Sequence, residues 1–218
     1  MTPAEKLAAR VKQATGMGWS DAAKLAGAAN ARFETFAGVD AKDEMALAKL
    51  DPYDAIQVRL ASWQSNNFGV PTTTQIACGV EEELAEWESA DDDAAAADAV
   101  GDTLIYCAQL CTAYRMSLSC IMMRAASYRC SDNHTKAGGL LCHVALKGEQ
   151  RIRGLDDRGL ARVGIAAAIV SICEALDATD GHGDLFDMYA ATAAQVLRRD
   201  WRANPVDAAQ VADGEVGS

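Results

Sequence analysis

Between Pro71 and Pro205 the chain contains no proline, and of the four prolines in all, Pro3 and Pro52 stand where helical patterns begin. A proline inside a helix removes a backbone donor and clashes with the preceding turn, so its absence over so long a stretch lets helices run uninterrupted. Composition points the same way. Half of the 218 residues are hydrophobic and only 6% aromatic, and Ala, Leu, Met and Glu prevail over Val, Ile and Thr, a balance that favours helix over strand. The expected fold class is all-α, a helical bundle.

The patterning places the helices. An amphipathic segment runs from Pro3 to Thr15, and Ser20 before Asp21 reads as the N-cap of a helix reaching about Phe33. A further helix is expected from Asp40 to Leu50. Asp51-Pro52 supplies a cap followed by proline at the first helical position, opening a helix to about Ser65 that Asn66, Asn67, Gly69 and Pro71 end. Thr72 to Thr74 start the next, through to about Ala90, and residues 91–93 close it and cap its successor, 94–115. Helices over 117–127, 136–147, 156–177 and 184–202 complete the reading. Residues 131–134 are the main internal break, and the tail 205–218 is small, acidic and frayed.

With 20 basic and 31 acidic residues the net charge is −11, so the mean field repels duplex nucleic acid and anionic membranes. No apolar run approaches the roughly 20 residues that span a bilayer, and the opening MTPAEKLAARVKQ lacks the apolar stretch of a secretory signal; the expectation is a cytoplasmic protein. Seven cysteines, Cys78, Cys107, Cys111, Cys120, Cys130, Cys142 and Cys173, show neither CxxC spacing nor a Cys/His cluster and read as reduced core residues. No GxSxG, phosphate-binding GxxxxGK or dinucleotide fingerprint occurs.

The chemistry-bearing stretch is Glu81-Glu82-Glu83-Leu84-Ala85-Glu86, followed by Asp98-Ala99-Val100-Gly101-Asp102. Helical residues three or four apart share a face, so Glu83 with Glu86, and Asp98 with Asp102, form two carboxylate pairs on successive helices. If the turn at 91–93 makes those helices antiparallel, the pairs face each other and repel unless a hard cation such as Mg²⁺, with its oxygen ligands and retained waters, neutralises them. The plainer alternative is a solvated acidic helix end, to which Glu81, Glu82, Glu88 and Asp91 to Asp93 are well suited. Asp102 differs from these because it sits among Val100, Leu104, Ile105 and Tyr106, where a carboxylate needs a partner.

EEELAE followed by DAVGDTLIYC resembles the MazG-like all-α nucleoside triphosphate pyrophosphohydrolases, whose pattern is ExxE, a short turn, then ExxD. Glu83 and Glu86 match the first pair and Asp102 the final Asp. The resemblance extends to Trp63-Gln64, Asn67-Phe68-Gly69 and Arg199-Asp200-Trp201, discontinuously over 55–204. It departs at Ala99, where the family has its third Glu; Asp98, one residue earlier, is the candidate replacement. The resemblance implies metal ligation by Glu83, Glu86, Asp98 and Asp102, with Mg²⁺ as cofactor and Mn²⁺ as a substitute, and Glu82 or Glu83 as the base. For Trp63, Gln64, Asn67 and Phe68 it suggests a nucleobase pocket, against the alternative of an ordinary helix end.

Further on, His143-Val144-Ala145-Leu146-Lys147 and Gln150-Arg151-Ile152-Arg153-Gly154 resemble the HxxLK…QxIRG segment of the same family. Matching Val100-Gly101-Asp102 to Val163-Gly164-Ile165 puts Ala161 and Ile165 in place of Asp98 and Asp102, and Leu146 and Glu149 in place of Glu83 and Glu86. The expectation is a tandem duplication: an N-terminal extension 1–50, a half with metal carboxylates 51–130, a degenerate half 131–204, and the tail 205–218. Such a chain is a monomeric pseudo-dimer, or else a homodimer, with Lys147, Gln150, Arg151 and Arg153 facing the phosphates. The expected activity is Mg²⁺-dependent hydrolysis of an NTP or dNTP to monophosphate and pyrophosphate. The alternatives are a non-catalytic helical partner protein and a phosphoribosyl-nucleotide pyrophosphohydrolase.

Overall fold

The computed structural model describes residues 2–125, 134–149, 157–177 and 184–200, and among these every regular element is a helix. In chain order they are α1 (Pro3–Thr15), α2 (Trp19–Glu34), α3 (Glu44–Leu47), α4 (Pro52–Asn67), α5 (Thr73–Ser89), α6 (Asp93–Ala113), α7 (Leu118–Ala125), α8 (His134–Glu149), α9 (Asp157–Asp177) and α10 (Leu185–Val196). The caps explain most starts. Thr2 and Thr72 each form a capping box, with Glu5 and Gln75, while Asp51, Asp92 and Asp184 each accept a backbone N–H of the first turn.

Several boundaries differ from the sequence expectation. The cap of α2 is Gly18, extended at φ −72° and ψ 145°, and Ser20 lies inside the helix. The helix expected over 40–50 shrinks to α3, started by the Asp43 carboxylate on the Ala46 N–H. The last helix, α10, stops at Val196 rather than near 202, because Arg198, Arg199 and Asp200 are exposed and have no core to face. His134 opens α8 instead of ending the break before it.

One hydrophobic core runs through the whole bundle, from Val11 on α1 to Ala193 on α10. The helices α5 and α6 pair along their length, as do α8 and α9; α5 also lies against α8, and α10 against α6. At the centre is α9, whose Ile165 to Val170 and Ile172 are all 0% exposed. A helix that is apolar on every side must be enclosed, and each fully buried Ile side chain contributes about 1.5–3 kcal/mol. Its Gly159–Asp177 stretch is, by length and composition, apolar enough to cross a membrane, which corrects the reading that no run approached that length. Here it is a core helix, mostly buried.

Glycines set two of the closest helix contacts. At Gly101 a Cβ would meet Thr192 Oγ1 at 2.0 Å, so only glycine lets α10 rest on α6, and at Gly164 it would meet Val144 Cγ2 at 2.8 Å. The two Val-Gly steps matched in the sequence thus serve different neighbours. The cysteines divide as well: Cys107, Cys111, Cys120 and Cys173 are buried as expected, Cys142 is half-buried, and Cys78 is exposed, contrary to its reading as a core residue. Cys130 lies outside the described residues.

A buried polar cluster ties the two ends of the bundle together. Asp54, in the first turn of α4, is 0% exposed, and its carboxylate accepts from Ser117 Oγ at 2.7 Å and Ser119 Oγ at 2.9 Å. Arg32 Nε donates to it at 3.2 Å. One turn on, Gln57 donates to the Met116 carbonyl at 2.9 Å and accepts the Leu118 N–H at 2.9 Å. The same turn, 114–117, is gripped from outside by Asn30 Nδ2 on the Arg115 carbonyl, by the Arg115–Glu34 pair, and by Arg162 Nε on the Tyr114 carbonyl. Removing one member of a buried charged cluster strands its partners. Asp54→Ala is therefore expected to lower the unfolding free energy by about 3–5 kcal/mol, and Arg32→Ala, which removes a side chain that is itself 42% exposed but leaves the 0% exposed Asp54 carboxylate without this cation, by a smaller ~1–3 kcal/mol. Urea denaturation of both variants checks this, and near-equal losses would contradict it.

Candidate functional site

The helices α5 and α6 are joined by a short turn at 90–92 and run antiparallel. The Tyr106 ring lies over Gly79, within 2.6 Å of where a Cβ would stand. Four residues further along α5, Glu83 feels the charge of Asp102, four residues back along α6. This register brings the two predicted carboxylate pairs to one face. Glu83 and Asp102 are half-buried at its centre, while Glu82, Glu86 and Asp98 are exposed around them.

The electrostatics record how close this grouping is. Burial, then the charges of Asp102, Glu86, Asp98 and Glu82, push the Glu83 carboxyl up to about 8. Asp102 is pushed up to about 6 by burial first and by Asp98 and Glu86, against the opposing pull of the Arg199 guanidinium. The Tyr106 hydroxyl is raised too, by burial and by the same carboxylates, Glu83 foremost. Asp98 acts on both Glu83 and Asp102, so it belongs to this face. Ala99, by contrast, is 4% exposed and packs into the core.

Among the described residues, no three His, Cys, Asp or Glu side chains stand close enough together to hold a metal ion. The carboxylates of this face are Glu83, Glu86, Asp98 and Asp102. As a donor set they are all oxygen, the chemistry that a hard divalent cation takes. Those at the rim are exposed, where side chains change rotamer in nanoseconds or less.

Arg199 links this face to the residues expected to bind the base. Its guanidinium acts on Asp102, and its carbonyl accepts the Trp63 indole N–H at 2.8 Å. The Trp63 ring meets Phe68 edge-on, with centroids 5.5 Å apart, and Phe68 is 58% exposed. Gln64 Oε1 is buried without a hydrogen-bond partner, and the residue lines an apolar cavity of about 120 Å³ with Val70, Pro71, Ile76 and Gln109. Asn67 turns its amide back onto its own helix, Nδ2 donating to the Trp63 carbonyl at 2.9 Å.

The predicted cations are not placed. Lys147 belongs to α8 but its side chain, like the whole of Gln150, Arg151, Arg153 and Trp201, lies outside the described residues. His143 is half-buried and lines a groove between α1 and α8 with Arg10, Gln13 and Lys136, away from the carboxylates' own helices. Tyr106, one turn after Asp102, escaped the sequence reading; that spacing was the available signal. Trp87 is half-buried and packs against the core. Compared with known protein families, curated proteins and solved structures, the chain matches none.

A carboxyl whose folded-state pKa lies above its unfolded value binds its proton more tightly when folded. The cost of ionising it is absent below the unfolded pKa and fully present above the folded one. With chelator present, the protein should therefore lose thermal stability as the pH rises from about 4.5 to about 8, the interval over which Glu83 is perturbed. Glu83→Gln should flatten that slope. Melting curves across this interval check it, and a variant with an unchanged slope would contradict the assignment.

Proposed function

We propose that this protein hydrolyses a nucleoside triphosphate, NTP or dNTP, to the monophosphate and pyrophosphate, in the manner of the MazG-like all-α pyrophosphohydrolases that its motifs resemble. The observation that carries this reading is the acidic face on α5 and α6, where burial and the charges of Glu86 and Asp98 raise the proton affinity of Glu83 and Asp102 at a half-buried centre. Uncompensated, such a grouping is unfavourable, and stability alone does not account for it.

Mg²⁺, with Mn²⁺ as a substitute, would be held by Glu83, Glu86, Asp102 and Asp98, and when bound it supplies charge neutralisation to the phosphates and acidifies a water. Glu82 or Glu83 takes the proton of the attacking water. Asp98 replaces the family's third glutamate from one residue earlier, since positions three and four residues apart lie on one helix face. Trp63, with Phe68 beside it, offers a ring for stacking the base, and Gln64 and Asn67 supply amides near its edge. Lys147, Gln150, Arg151 and Arg153 are assigned to the far phosphates.

Two repeated halves, 51–130 and 131–204, within one polypeptide are part of the same proposal. In its favour, α6 and α9 are both 21 residues long, each forms a hairpin with the helix before it, and α5 of one hairpin lies on α8 of the other. The second half keeps one carboxylate of the four, Glu149 in place of Glu86.

A non-catalytic helical partner protein is the second reading, favoured by Ala99 and by the finding that, among the described residues, no three candidate ligands are grouped closely enough to hold a metal ion. Pyrophosphate release from a panel of NTPs, dNTPs and phosphoribosyl nucleotides with Mg²⁺ separates the two. Under the hydrolase reading Glu86→Gln lowers turnover by roughly 100-fold or more, with the helical circular dichroism unchanged. Silence across the panel, together with no thermal shift on adding Mg²⁺ or Mn²⁺, would establish the partner reading instead.

A further inference from the structure

On the side of α5 that meets α8, two glycines bring the helices close. A Cβ on Gly138 would stand 3.4 Å from Glu81 Cγ and 3.5 Å from Leu84 Cδ1, and one on Gly139 would stand 3.9 Å from Glu81 Oε1. One turn back along α5 from Glu81 is Cys78, and one turn on along α8 from Gly138 is Cys142. That places Cys142 beside Cys78 across the interface, and the Glu81 carboxylate and the Cys78 thiol both act on the Cys142 thiol. Two cysteines distant in sequence thus stand thiol to thiol across a helix interface, one exposed and one half-buried, and both reduced. The other described cysteines, Cys107, Cys111, Cys120 and Cys173, are buried.

We propose that Cys78 and Cys142 form an oxidation site that closes a disulfide between α5 and α8 when the protein meets a peroxide. Cys78 reacts first because it is exposed; its sulfur attacks the peroxide O–O bond, giving a sulfenic acid and releasing water or the corresponding alcohol. The Cys142 sulfur then attacks the Cys78 sulfur. The S–O bond breaks, the hydroxide leaves as water with the proton that Cys142 gives up, and the sum is two thiols and one peroxide converted to a disulfide, one water and the water or alcohol of the first step. Burial and the Glu81 carboxylate push the Cys142 thiol up to about 12, so Cys142 stays a thiol while the exposed Cys78 meets the peroxide, and the second step, in which Cys142 must give up its proton as it attacks, is the slower one. The bond would fasten the helix carrying Glu82, Glu83 and Glu86 to its neighbour, closing a long loop and restricting the unfolded chain.

The test uses the full-length protein, reduced, freed of reductant and treated with hydrogen peroxide, then alkylated in denaturant and mapped by mass spectrometry. The expected product is a dithiothreitol-sensitive peptide pair joining Cys78 to Cys142, short of two hydrogens, with a raised thermal midpoint. Cys78→Ser, at an exposed position, should abolish both the cross-link and the shift, and Cys142→Ser should leave a dimedone-reactive sulfenic acid on Cys78. The proposal is overturned if Cys142 is still alkylated after Cys78 has been oxidised. It is equally overturned if Cys78 pairs with a different cysteine, or stays a free thiol in excess peroxide.

Discussion

The carboxylate of Asp54 is the point on which the arrangement of the bundle turns. It is fully buried, and it is held there by two serine hydroxyls and an arginine contributed by segments far away in the chain. A charge in an apolar interior is tolerable only when such partners are in place, so the cluster admits one placement of α4 against the turn before α7. Gln57 adds backbone contacts at the same turn, leaving little freedom in how the first six helices meet the rest. Since α9 also reaches this turn through Arg162, the central core helix is indexed by the same cluster.

The acidic face follows the opposite principle. Where Asp54 is compensated, Glu83 and Asp102 are surrounded by charges of their own sign, with Arg199, among the described residues, the one cation whose charge opposes this at Asp102. The two helices carrying them are fixed by an apolar seam and by the Tyr106–Gly79 contact, so the carboxylates cannot relax apart by moving the backbone. A rigid scaffold that holds like charges together is poised to gain from a cation, which is why this face rather than any cavity dominates the functional reading.

Much of this was legible along the chain. Proline spacing and the caps at Thr72, Asp51 and Asp92 located the helices to within a few residues, because capping and proline geometry are local effects. Both carboxylate pairs were visible because helical periodicity alone sets which residues share a face. The errors arose where local signals competed. Ser20 is as good a cap as Gly18 by residue type, and only the packing of Trp19 onto the core starts α2 earlier. Cys78 has the apolar surroundings of a core residue in sequence, yet is exposed at the margin of the contact between α5 and α8.

The sequence by itself determined that the chain is helical, where most helices begin, and that Glu83 shares a helix face with Glu86 and Asp98 with Asp102, all consequences of interactions within a turn or two. Only the tertiary structure decided that Asp54 is a buried anchor, that Ala99 goes to the core while Asp98 joins the acidic face, and that Cys78 meets Cys142. Each of these depends on residues brought together across long stretches of chain. Their energies come from burial and from charge at a distance, which no local pattern encodes.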